Sequence, residues 1–191
     1  MYTPRMSTQD RLIEATRELL WERGYVGTSP KAIQQHAEVG QGSMYHHFTG
    51  KPDLALTAIR RTADEMRETA GRVLDAPGSA YERISAYLLR ERDVLRGCPL
   101  GRLTMDPEII ASDELREPVD ETITWLRDRL AAIVREGVAA GEFAPGLVPE
   151  DIAASIVATV QGGYVLARAA GSTDAFDAGA RGLLTLLTPR A

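Results

Sequence analysis

The chain has 191 residues, 44% hydrophobic and 26% charged, with a formal net charge of −5. That apolar share excludes a disordered chain, the unrepeated placement of 17 Gly and 10 Pro excludes a collagen-like one, and a single cysteine, Cys98, excludes a disulfide scaffold. The first residues lack the apolar stretch of a secretory leader, and no apolar run approaches the about 20 residues of a membrane span, so a soluble cytoplasmic protein is expected.

Helical periodicity dominates, and the predicted fold class is all-α. Leu12, Ala15, Thr16, Leu19 and Leu20 share one helix face; Ser7–Asp10 has the form of a capping box and Gly24 suits the end. Ser29-Pro30 is a strong start for a short second helix carrying Ile33 and Ala37 inward. After a break at 38–40, a third helix is predicted over about 41–48. A long fourth one is predicted from Pro52 to about Leu74. Further helices are expected over 80–96, briefly after Pro99, and over 112–140, 149–170 and 173–187. Pro- and Gly-rich breaks separate them.

Two short helices joined by a tight turn and braced by a longer one make a helix-turn-helix. In its second helix Met44 and Phe48 fall on the core face, leaving Gln41, Ser43, Tyr45, His46 and His47 wholly or partly on the other side. These side chains suit base edges and phosphates, and Gly42 permits close backbone approach. Adjacent histidines on a helix point about 100° apart, with no Cys or carboxylate close by, so no metal site is expected. Charge placement agrees with a DNA reader. Residues 1–61 hold 8 Lys+Arg against 6 Asp+Glu, with all three histidines and both lysines, while the remainder sums to −7.

Residues 11–54 resemble the DNA-binding domain of the TetR family of bacterial transcriptional regulators. The resemblance rests on Gly24-Tyr25, Thr28-Ser29, Ile33, Ala37-Glu38-Val39, Gly42 through Phe48, Lys51 and Leu54. It implies that Thr28, Ser29 and Lys31 open the first reading helix near phosphates, that residues 41–46 carry recognition, and that Lys51 takes a further phosphate. Two positions depart from the family pattern: Gln34 replaces a small residue and Glu38 replaces a turn glycine. The second departure predicts a reshaped turn, because a left-handed conformation costs a non-glycine residue roughly 1 kcal/mol or more.

Beyond Arg61, the segment Arg96–Gly101, then Trp125, Gly141-Glu142-Phe143 and Gly162-Gly163, is similar to the LmrA/YxaF-type branch of that family. The implied organisation is a DNA-binding domain over 1–51 and an effector-binding and dimerisation domain over 52–191. The expected effector pocket is lined by Tyr87, Leu103, Met105, Trp125 and Tyr164, residue types that suit an adaptable apolar site. A homodimer is expected through the last two helices of each chain, using Ile156, Val160, Gly163, Leu183, Leu184 and Leu187. Two-fold symmetry then implies a palindromic operator in double-stranded DNA. Cys98, beside Pro99 and without a second cysteine, reads as structural.

The expected function is a transcriptional regulator, a repressor released from its operator by a small molecule. An activator of the same family is the alternative. An enzyme is disfavoured, since every histidine lies in the first 47 residues, none in a metal-binding motif, and no Gly-rich phosphate loop appears. No cofactor is expected.

Overall fold

The computed structural model describes residues 6–40 and 42–188, and the regular structure among them is entirely α-helical. Near the N-terminus come α1 (Thr8–Arg23), α2 (Pro30–His36), α3 (Ser43–His47) and α4 (Lys51–Leu74). After them follow α5 (Ala80–Leu89), α6 (Pro99–Leu103), α7 (Pro107–Ala111), α8 (Asp113–Ala139), α9 (Pro149–Ala170) and α10 (Asp174–Leu187).

The predicted caps form. Ser7 accepts the Asp10 N–H at 3.1 Å, and Ser29 accepts that of Ala32 at 3.1 Å. Three predicted helices are corrected. The one expected over 80–96 ends at Leu89, where the Arg92 guanidinium turns back over the last turn and donates to the carbonyl of Leu88 at 2.7 Å and to that of Tyr87, taking up acceptors the helix end leaves open. The helix expected to start at 112 begins at Asp113, and a separate short helix, α7, precedes it. Asp106 caps this α7, taking the N–H groups of Glu108 and Ile109 on one oxygen. The third helix is the five residues Ser43–His47; Gln41, its predicted first residue, lies outside the described residues.

The chain forms two compact units, one up to Asp64 together with Pro99–Asp120, the other of Glu65–Cys98 with the chain from Glu121 on. In the first, α1 packs against α2, α3 and α6, burying Leu12, Leu19, Ile33, Met44, Leu54, Leu100 and Leu103. In the second, α9 pairs with α10 and α10 with α5, around Ile84, Leu88, Ile133, Phe143, Ile156 and Phe176. The Gly141-Glu142-Phe143 turn is built into this core. Glu142 accepts the Tyr81 N–H at 3.0 Å, and the Phe143 ring lies over Gly137, where a Cβ would come within 2.4 Å of it.

Helix α9 is long and apolar enough to cross a bilayer by length and composition, contrary to the expectation that no such stretch exists. Ala153, Ile156, Val157, Val160 and Ala167 bury one side of it in the chain's own core, so its composition is also that of a core helix.

Candidate nucleic-acid interface

The α1–α2 loop sets the position of the first short helix. Thr28 is buried and donates its hydroxyl to the Gly24 carbonyl at 2.7 Å. That corrects its expected part as a phosphate-side residue, because the side chain is enclosed and spent inside the loop. Ser29 is exposed as the N-cap of α2, and Lys31 is exposed two residues on, in the first turn. The Tyr25 N–H donates to the Asp106 carboxylate at 2.7 Å, and that of Val26 at 2.9 Å. Burial, then the nearby acids Glu108 and Asp106, raise the Tyr25 phenol above its ordinary pKa. Its ring carries the Lys51 ammonium 3.8 Å from the centroid, a cation–π contact that anchors this half-buried lysine at the start of α4.

The turn between α2 and α3 is left-handed at Glu38, with φ of 53°. The strained residue is tied down: Arg11 donates to its carbonyl at 3.3 Å, and Val39 N–H donates to Gln34 at 3.1 Å. Gln34, the other departure from the family pattern, is buried, its amide nitrogen 3.9 Å from the Met44 sulfur. The side chain thus bridges α2 to α3.

With Met44 fully buried and Phe48 nearly so, α3 can present only its other face. Tyr45 is 61% exposed, His46 and His47 are exposed, and Ser43 is half-buried. The two imidazoles are in edge-to-face contact, their centroids 5.0 Å apart and their planes at 74°. A Cβ on Gly42 would meet nothing within 4 Å, so no packing inside the chain demands glycine there. Between the two short helices lies an open cleft of ≈ 630 Å³ lined by Ser29, Pro30, Lys31, Gln34, Gln35, Val39 and Tyr45. Sequence reasoning passed over Gln35. It stands exposed one turn after Lys31, and that i, i+4 spacing was the available signal. The surface therefore offers hydroxyl, amide, imidazole and ammonium groups, the donors and acceptors that read base edges and phosphates.

The remaining expected site residues distribute differently. Tyr87 is buried in the second unit with Trp125 and Tyr164 partly buried on the same core, whereas Leu103 is a core residue of the first unit. Met105 is 84% exposed and corrects the expectation that it lines an enclosed pocket. Burial pushes the Tyr164 phenol up to about 12 and raises that of Tyr87 as well. The expected dimer residues need a larger correction. Ile156, Val160, Gly163, Leu184 and Leu187 are buried in the chain's own core, with Leu183 packed partly against it. A Cβ at Gly163 would come within 2.7 Å of the Phe176 ring, so its small size serves α9–α10 packing within one chain.

Comparison with known proteins yields consistent matches. Residues 12–58 match the family described as "Bacterial regulatory proteins, tetR family", and residues 79–183 match "Tetracyclin repressor-like, C-terminal domain". The HTH-type transcriptional regulator LmrA of Bacillus subtilis is 26% identical over 121 residues, 60% of this chain and 64% of that protein. A TetR transcriptional regulator from Chloroflexus aurantiacus superposes with a TM-score of 0.85 at 27% identity, covering 93% of this chain and 92% of that one. The TetR family regulator CifR, in a cysteine mutant complexed with 26bp double-strand operator DNA, superposes with a TM-score of 0.79 at 22% identity. It covers 98% of this chain and all of that one (100%).

Proposed function

This chain is a DNA-binding transcriptional regulator of the TetR family, and from that premise we propose that it is a cytoplasmic homodimeric repressor, released from a palindromic operator by a small-molecule effector. The observation that carries the reading is the polar exposed face of α3, set beside Ser29, Lys31 and Gln35 on α2. In this reading residues 1–51 hold the DNA-binding function and residues 52–191 the effector and dimer functions. Ser29, Lys31, Ser43, Tyr45, His46 and Lys51 contact DNA together with Gln41, and Gly42 lets the backbone approach. Operator DNA on CifR, a protein of the same fold, supports this placement.

For the dimer, the supporting feature is the outer face of α9 and α10. Ala158, Gly162, Val165, Leu166 and Ala169 form an exposed stripe on α9, and Gly182 and Leu186 are exposed on α10. A Cβ at Gly162 or Gly182 would meet nothing within 4 Å in the chain itself. Their small size is explained by the close approach of another helix, which a second copy supplies. Effector binding in the body then shifts the population between two arrangements of the dimer. A coupling of ~1–3 kcal/mol changes operator affinity about 5- to 150-fold.

The test is selection of bound duplexes from random DNA with the purified full chain. A recovered inverted repeat supports the reading. Retention of unselected duplexes with equal affinity at moderate salt refutes it.

A further inference from the structure

Two guanidinium groups lie in the second compact unit without an ion pair to an acid among the described residues. The Cζ atoms of Arg90 and Arg92 stand 4.8 and 5.2 Å from the ring centroid of buried Tyr87. Arg92 is also 5.5 Å from the centroid of Phe176, whose ring lies 5.1 Å from that of Tyr164. All five residues belong to one compact unit.

One of the two charges has an explanation inside the fold. Arg92 donates from Nη1 to the carbonyls of Leu88 at 2.7 Å and Arg90 at 3.2 Å, and from Nη2 to that of Tyr87. It closes the end of α5, where unmatched carbonyls and the helix dipole favour a cation. Arg90 has no such duty. Among the described residues its guanidinium makes no hydrogen bond or ion pair, and its Nη1 is enclosed without an acceptor. The Nε of Arg92 is enclosed and unmatched as well.

Enclosing a cation beside a like charge is unfavourable unless an anion completes the arrangement. The groups acting on Arg92 are the repelling Arg90 and the phenols of Tyr164 and Tyr87, with no carboxylate among them; burial first, then Arg90, lowers its pKa. Stacking on Tyr87 and capping of α5 account for Arg92's position. They leave both enclosed N–H groups unexplained.

We infer that the effector is an organic carboxylic acid whose ionised head is bound by Arg90 Nη1 and Arg92 Nε beside the Tyr87 ring, with Tyr164 and Phe176 against its apolar part. The inference rests on the reading that a ligand controls DNA binding. One positive charge is unaccounted for, and a monocarboxylate supplies one negative charge, where a phosphate monoester brings nearly two.

The experiment is calorimetric titration of the full-length protein with benzoate, 4-phenylbutyrate and octanoate, each beside its primary amide. At least one acid binds, and its amide binds at least about tenfold more weakly, since a neutral head forgoes the charge-assisted bonds. Arg90→Gln weakens the acid at least about tenfold, and Arg90→Lys weakens it less, keeping charge while losing the planar fork. Circular dichroism checks that both variants fold, as the Arg90 side chain makes no hydrogen bond among the described residues to lose. Equal affinity for acid and amide, an unaltered Arg90→Gln, or no acid bound at low millimolar concentration overturns the inference. An acid that binds through Arg90 yet leaves affinity for the selected duplex unchanged upholds the anion site and overturns its role as effector site.

Discussion

The carboxylate of Asp106 accepts the backbone N–H of Tyr25 at 2.7 Å on Oδ2, and of Val26 at 2.9 Å on the same oxygen, although the residues lie some 80 positions apart in the chain. Its other oxygen caps α7 through Glu108 and Ile109, at 3.1 and 3.4 Å. One buried side chain thus fixes both the start of α7 and the loop that leads into α2. A Cβ at Gly24 would stand 2.9 Å from that Oδ2, so the loop also needs its glycine at this point.

Asp106→Ala leaves four backbone donors without their acceptor and is expected to destabilise the chain by about 2–4 kcal/mol. Urea unfolding followed by circular dichroism measures it. A midpoint equal to that of the wild type contradicts the role given to this carboxylate.

On α3, Tyr45→Phe removes a hydroxyl from an exposed ring without disturbing the core. We expect weaker binding to the selected duplex at unchanged helicity, by about fivefold for the loss of one net hydrogen bond of ~1 kcal/mol. Lys51→Ala should weaken binding across all sequences and lower the salt slope by about one unit. Filter binding at several salt concentrations separates the two.

Glu38→Gly frees the turn from its left-handed strain and should stabilise the protein by roughly 1 kcal/mol. It also removes an acid beside the reading helix, so DNA affinity should hold or rise. Reduced thermal stability would show that the Glu38 side chain contributes more than its backbone costs.

Leu166→Arg and Leu186→Arg place charge on the outer face of α9 and α10, where both leucines are exposed. Sedimentation should show monomers that remain helical. A dimer that survives dilution would locate the seam elsewhere. Leu184→Arg is the wrong probe, because that leucine lies in the chain's own core.

Alkaline titration provides a spectroscopic check on the body. With its folded pKa raised to about 12 against an ordinary value near 10, Tyr164 stays protonated while its unfolded counterpart loses a proton. The unfolded state binds fewer protons in that window, so this contribution to stability is complete below about pH 10 and lost progressively towards 12. Tyr164→Phe should shallow the decline, and the late phenolate absorbance should fall by one tyrosine's share, the raised Tyr87 and Tyr25 phenols keeping theirs.

How much of this could be read from residues alone varied with the range of the interactions. The helical class, the caps at Ser7 and Ser29 and the inward turn of Met44 and Phe48 are local matters of spacing and hydrogen bonding within a few residues, and the reading helix followed from them. Which face of α9 and α10 the chain leaves exposed did not follow. Both faces are apolar or small, and only the packing of Phe176 against Gly163 decides which of them the chain covers itself. The burial of Thr28, the exposure of Met105, the reach of Asp106 to Tyr25 and the pairing of Arg90 with Arg92 around one ring were likewise decided in three dimensions. Periodicity fixes the orientation of a residue within its own helix; what stands opposite it depends on how distant segments come together.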